Sequence, residues 1–171
     1  LHGPVLKENL GYYIGLYDTW SSYKAESEGV FIAYTSVYGH TAAAVLELKA
    51  ALEAAGIKVS SADLAREDMA EAVEDAFRYD RLVLATTTYN ADIFPFMRTF
   101  IESLTERGYK NRTVGLMENG SWAPTAAKVM RGMLEGCKDI RICENAVQLK
   151  SALSPESRAQ IAALAKELSE N

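Results

Sequence analysis

The sequence predicts a three-layer α/β sandwich built on a five-stranded parallel sheet. Three observations predict it. From residue 30 onward, apolar runs of strand length alternate with amphipathic helical patterns, which implies right-handed crossovers around a central parallel sheet. One run, RLVLAT at 81–86, is apolar without alternation, as a strand covered on both faces must be. At 171 residues, 49% of them hydrophobic and 24% charged, the chain is sized for one domain with a real core.

In chain order, residues 1–17 place Leu6, Leu10, Tyr13, Ile14 and Tyr17 at helical spacing, and Pro4 suits a first turn. Ser21, Ser22, Lys24, Glu26, Ser27 and Glu28 then read as a polar linker, making the opening segment an appendage to the core. Starting at Leu1-His2-Gly3-Pro4 rather than at a methionine, the chain is expected to be a piece of a longer one. The first strand is expected at 30–34. A helix follows at about 40–55, with Val45, Leu48 and Leu52 inward and Gly56 as its stop. A second strand at 57–61 precedes a short helix at about 67–77, and the third strand occupies 81–86. Pro95 opens a helix to about residue 107, stopped by Gly108. A fourth strand at 113–117 leads to a helix at 123–134 ending near Gly136. Residues 140–149 hold the fifth strand, and an alanine-rich helix at 155–168 closes the chain.

Composition excludes several classes. A formal net charge of -5 with no basic run argues against a nucleic-acid surface. No apolar stretch approaches the roughly 20 residues needed to span a bilayer, and no basic segment leads into an apolar one as in a signal peptide. No membrane partner is therefore expected. Cys137 and Cys143 are too few, with no histidine beside them, for a disulfide framework or a zinc site. They fit a reducing compartment, and the expected location is cytoplasmic.

Ligands of such sheets sit beyond the C-terminal strand ends, where strand order reverses. That rule nominates the loops after strands one, three and four. The first, Thr35-Ser36-Val37-Tyr38-Gly39-His40-Thr41, offers hydroxyls, a glycine for close backbone approach, and a helix N-terminus whose free amides and dipole favour an anion. It has no lysine, so it is not a Walker loop, and it lacks G-x-G-x-x-G. A phosphate held without a counter-cation points to a bound monoester rather than a leaving group; an ordinary capped turn is the alternative. His40 sits where positive charge is disfavoured and reads as a backbone contributor with its side chain outward. The second loop, Thr86-Thr87-Thr88-Tyr89-Asn90-Ala91-Asp92-Ile93-Phe94-Pro95, has a polar rim with aromatic surface. The third, Glu118-Asn119-Gly120-Ser121-Trp122, carries a tryptophan suited to lie on a planar ring, or simply to pack on the sheet.

The first loop resembles the flavodoxin phosphate loop, [ST]-x-[TY]-G-x-T, at Ser36, Tyr38, Gly39 and Thr41. More narrowly, the chain resembles the flavodoxin-like half of the flavodiiron (A-type) flavoproteins. Their second loop reads S-P-T, an aliphatic, then N, before a proline. Thr86, Thr88, Asn90 and Pro95 fall on those positions, with Thr87 for the proline and Tyr89 for the aliphatic. Trp122 matches the tryptophan of their G-S-Y-G-W, while Glu118 and Gly120 depart from its first glycine and its tyrosine. His2-Gly3-Pro4, Tyr12-Tyr13 and Tyr17-Asp18-x-Trp20 resemble the end of the family's metallo-β-lactamase-like domain and its linker.

The resemblance implies a flavodoxin-like sheet of order 2-1-3-4-5 and FMN as cofactor. Residues 1–28 would be the remnant of a preceding domain plus linker, and 29–171 the FMN-binding domain. Thr35, Ser36, Val37, Tyr38, Gly39, His40 and Thr41 would surround the phosphate. Thr87, Thr88, Tyr89 and Asn90 would meet the ribityl chain and ring edge, and Glu118, Asn119, Gly120 and Ser121 the other edge. Trp122 would lie on the isoalloxazine, with Tyr89 or Phe94 on its other face. Asp92 and Glu118 would flank the site with negative charge and lower the flavin potential. No residue reads as a catalytic acid, base or nucleophile. His2 would be an orphaned ligand of the family's di-iron centre, whose H-x-[EH]-x-D pattern is absent from this chain. The implied role is electron transfer, from rubredoxin or an NAD(P)H-dependent reductase to the di-iron domain of an oxygen or nitric oxide reductase. The family's dimer brings one subunit's FMN to the other's irons, which makes a second copy a further implied partner. A stand-alone flavodoxin and an NAD(P)H-dependent FMN or quinone reductase are the alternatives. A phosphoreceiver domain needs an aspartate where Thr86–Thr88 stand.

Overall fold

The computed structural model describes Gly3 and residues 5–170. Its sheet contains β1 (Ser27–Tyr34), β2 (Val59–Asp63), β3 (Tyr79–Tyr89), β5 (Arg112–Asn119), β6 (Ile140–Ile142) and β7 (Val147–Leu149), with a short β4 (Asp92–Ile93) beside β3. The order is β2-β1-β3-β5-β6, with β7 continuing along β5 beyond β6, and all of these pairings are parallel. With β4 set aside as a hairpin return and β6 and β7 counted together, this is the expected 2-1-3-4-5. Strand order reverses between β1 and β3.

Strand residues alternate between two cores. Val30, Ile32, Val83 and Ala85 face α2 (His40–Ala54) and α6 (Pro155–Ser169). Phe31, Ala33, Leu82 and Leu84 face α3 (Met69–Arg78), α4 (Pro95–Glu106) and α5 (Ala126–Leu134). Both faces are covered, which is why these strands read as unbroken apolar runs. At Gly115 a β-carbon would lie 3.1 Å from Leu164 Cδ1 and 3.3 Å from Val83 Cγ2, so its absence lets α6 pack close to the sheet.

Several boundaries differ from the sequence expectation. The second strand starts at Val59 because Gly56, at φ 80°, and Ile57 close a Schellman cap, their amides donating to Glu53 and Leu52 carbonyls. The third strand runs on to Tyr89 and turns through Asn90 and Ala91, both at positive φ as a type I′ turn requires, into β4. What reads as a loop is thus largely hairpin. The fifth strand is split because the Glu167 carboxylate accepts the Glu144 and Asn145 amides, drawing that stretch off the ladder.

The first helix, α1 (Leu10–Ser21), starts later than its pattern and ends later. Ser21 and Ser22 extend it by donating their hydroxyls to the Asp18 carbonyl. Pro4 lies outside the described residues, as do Leu1, His2 and Asn171. No residue of α1 is buried. The chain joins the domain through Tyr23, whose carbonyl accepts from the buried Arg112 guanidinium and whose hydroxyl donates to the Arg107 carbonyl. Among the described residues no helix is long and apolar enough to cross a membrane.

Candidate ligand-binding cleft

A cleft of about 270 Å³ opens at the C-terminal ends of β1, β3 and β5. Ser36, Val37, Tyr38, His40 and Thr41 line it from the first loop. Thr87, Thr88, Tyr89 and Phe94 line it from the β3–β4 hairpin, and Asn119, Gly120 and Ser121 from the end of β5. Ser151, from the loop after β7, completes it. The sequence reading missed Ser151. The same strand-end rule that nominated three loops extends to the loop after strand five, and that signal was available.

One end gathers hydroxyls at the start of a helix. α2 runs 15 residues from His40, with Gly39 at φ 86° as its N-cap and no acidic residue in its first turn. The amides of His40 and Thr41 are at the helix start, where no carbonyl four residues back within the helix can pair them. Ser36 Oγ accepts from the Ala42 amide at 3.2 Å, which leaves the Ser36 hydroxyl hydrogen free to donate to a ligand. Thr35 is not part of this surface. It is buried, and its hydroxyl is paired at 2.6 Å with that of Thr86 beneath the cleft floor.

The middle and far end are set by the hairpin. Thr88 Oγ1 accepts from the Thr125 and Ala126 amides at 3.0 and 3.3 Å, capping α5 from a different strand. Thr87 Oγ1 is buried with no hydrogen-bond partner among the described residues, an unusual state for a hydroxyl unless something else completes it. Tyr89 and Phe94 stand edge to face, ring centroids 5.5 Å apart, and form the aromatic wall.

Five further expected residues stand elsewhere. Asn90 is at the exposed hairpin turn, and Gly39 is the exposed N-cap of α2, outside the lining. Trp122 is 98% exposed and outside the lining, so it does not lie over the cleft. Glu118 is turned away. Its carboxylate accepts from the Ala127 amide and the Gln148 side chain, each at 2.9 Å. Asp92 is paired with Arg98, whose hydrogen bond, together with the Ile93 amide, holds that carboxyl below its usual range. Asp92 is thus ion-paired with Arg98, while the Glu118 carboxylate is held by two neutral donors. Among the described residues the lining holds no carboxylate, lysine, arginine or cysteine; its polar side chains are hydroxyls, Asn119 and His40.

No family model and no curated protein matches the sequence. Solved structures do match. The rubredoxin oxygen:oxidoreductase of Desulfovibrio gigas is 16% identical with a TM-score of 0.86, covering 94% of this chain and 39% of that one. This chain has the flavodoxin-like fold. The flavodiiron protein of Giardia intestinalis is 18% identical, TM-score 0.83, covering 95% of this chain and 41% of that one. Flavodoxin 1 of Bacillus cereus is 13% identical, TM-score 0.73, covering 85% of this chain and 99% of that one. The chain therefore spans about two-fifths of the flavodiiron chains and nearly all of the flavodoxin.

Proposed function

We propose that the cleft binds FMN and that the domain carries electrons. The observation behind this reading is the division of the cleft. Hydroxyls and helix-start amides without a cation stand at one end, and an aromatic wall stands at the other, with the unpartnered Thr87 hydroxyl between them. Ser36, Thr41 and the α2 N-terminus would hold the phosphate, Thr87 the ribityl chain, and Tyr89 with Phe94 one face of the ring. Bound FMN supplies reversible electron transfer; the chain's residues bind it, orient it and leave its edge open to a partner.

The fuller reading is that residues 29–171 are the flavin domain of a flavodiiron oxygen or nitric oxide reductase, with residues 1–28 the tail of a preceding domain. Electrons would come from rubredoxin or an NAD(P)H-dependent reductase and go to a di-iron centre in the cytoplasm. The apolar α1, which buries none of its residues and leaves Tyr12, Ile14 and Tyr17 mostly exposed, supports a preceding unit. A stand-alone flavodoxin is the second reading, favoured by the near-complete coverage of Bacillus flavodoxin.

Adding FMN to the purified chain tests the core of this reading. One equivalent is expected to bind, with its fluorescence quenched by the aromatic wall; a chain that takes up no FMN refutes it. Steady NAD(P)H oxidation with quinone by the isolated chain would instead favour the reductase alternative.

A further inference from the structure

Asn119 ends β5 between the start of α2 and the loop after β7, and is 7% exposed. Its amide is engaged in both directions. Oδ1 accepts from the Ser151 N–H at 2.9 Å while Nδ2 donates to the Ser151 carbonyl at 3.0 Å. One residue's two peptide groups thus decide which end of the amide is nitrogen and which is oxygen. Ser151 itself is at φ 75°, a left-handed conformation that a non-glycine residue keeps only where its surroundings hold it. With the amide so oriented, the second Nδ2 hydrogen is directed to Thr41 Oγ1, at 3.3 Å.

Thr41 is 1% exposed, sits in the first turn of α2 and lines the cleft. Its hydroxyl has a single hydrogen to give. Because Nδ2 can only donate, Thr41 Oγ1 must accept there, and its hydrogen is left for another partner. Ser36 is in the same condition through the Ala42 amide. Two hydroxyls flanking one helix N-terminus are therefore both set as donors toward the same end of the cleft.

We propose that Asn119 is a positioning residue for the anion end: clamped by the Ser151 peptide, it donates to Thr41 and so reserves the Thr41 hydroxyl hydrogen for a ligand phosphate. The proposal rests on the FMN reading and deepens it. Asn119, expected from sequence at the ring edge, instead acts through Thr41 at the opposite end.

The test is a double-mutant cycle on the full chain, with FMN dissociation constants from fluorescence quenching for wild type, Asn119→Ala, Thr41→Val and the double variant. Asn119→Ala is expected to weaken binding by about five- to tenfold, the scale of one hydrogen bond. In the Thr41→Val background the same change is expected to cost less than twofold, because its route is already gone. Losses that multiply overturn the proposal, as does an Asn119→Ala constant equal to wild type. A loosening of the fold would lower affinity in both backgrounds alike. Should Asn119→Ala not fold, Asn119→Asp enters the same cycle. It still accepts from Ser151 but draws the Thr41 hydrogen to itself, so part of its loss must vanish with valine at 41; an undiminished loss overturns the proposal. Wild type that binds no FMN refutes the underlying reading before any variant is compared.

Discussion

Replacing Thr87 by valine is expected to move stability and affinity in opposite directions. The hydroxyl is buried and unpartnered while the residue lines the cleft. A buried unpaired hydroxyl costs about 1–3 kcal/mol of desolvation, and valine has nearly the same shape. Thr87→Val should therefore raise the unfolding free energy of the FMN-free chain by about 1 kcal/mol, roughly 2–4 °C in Tm for a domain of this size. If the hydroxyl is completed by FMN, the same change removes a hydrogen bond of about 0.5–1.5 kcal/mol and raises Kd by about two- to twelvefold. Urea unfolding without FMN reads the first effect, and titration with FMN reads the second. A less stable FMN-free variant would mean the hydroxyl already has a partner in the protein. An unchanged Kd would mean it does not face the ligand. Either result refutes the reasoning.

Gly39→Ala should destabilise by about 1–2 kcal/mol, since Gly39 is at φ 86° and an added β-carbon would meet nothing within 4 Å. The cost is in the backbone alone, so Gly39→Asn should lose clearly less in urea unfolding; equal losses would point to crowding instead. Burial tends to raise the Glu167 carboxyl, but the Asn145 and Glu144 amides, the Asn145 side chain and Arg141 outweigh it and hold it down at about 2 against an ordinary 4.5. A depressed folded value contributes stability that is present above pH 4.5 and lost as pH falls toward 2. Glu167→Gln should therefore flatten the acid side of the stability profile across that window while changing its slope little near neutrality, as read by melting temperature against pH.

Much of the fold is local in origin and legible residue by residue. The apolar runs at β1, β3 and β5, Gly56 and Gly108 at helix ends, and Pro95 and Pro155 at helix starts each act through a few neighbours. The strand-end rule then brings Ser36, Thr41, Thr87, Tyr89 and Asn119 to one side without any knowledge of their contacts. Side-chain direction is not local. Glu118 turns toward Ala127 and Gln148, 9 and 30 residues away, and Asp92 is neutralised by Arg98 one helix turn into α4.

Alternation and capping chemistry, written in adjacent residues, were enough to specify a parallel sheet and the end at which a ligand would sit; the strand order came only with the resemblance carried by the loop motifs. The donors were decided only when distant segments met. Whether a hydroxyl is spent, as in Thr35 against Thr86, left unpaired, as in Thr87, or reserved, as in Thr41 by Asn119, depends on partners 51 and 78 residues apart where partners exist. A hydroxyl or amide has few bonds to give, and only the assembled tertiary structure assigns them.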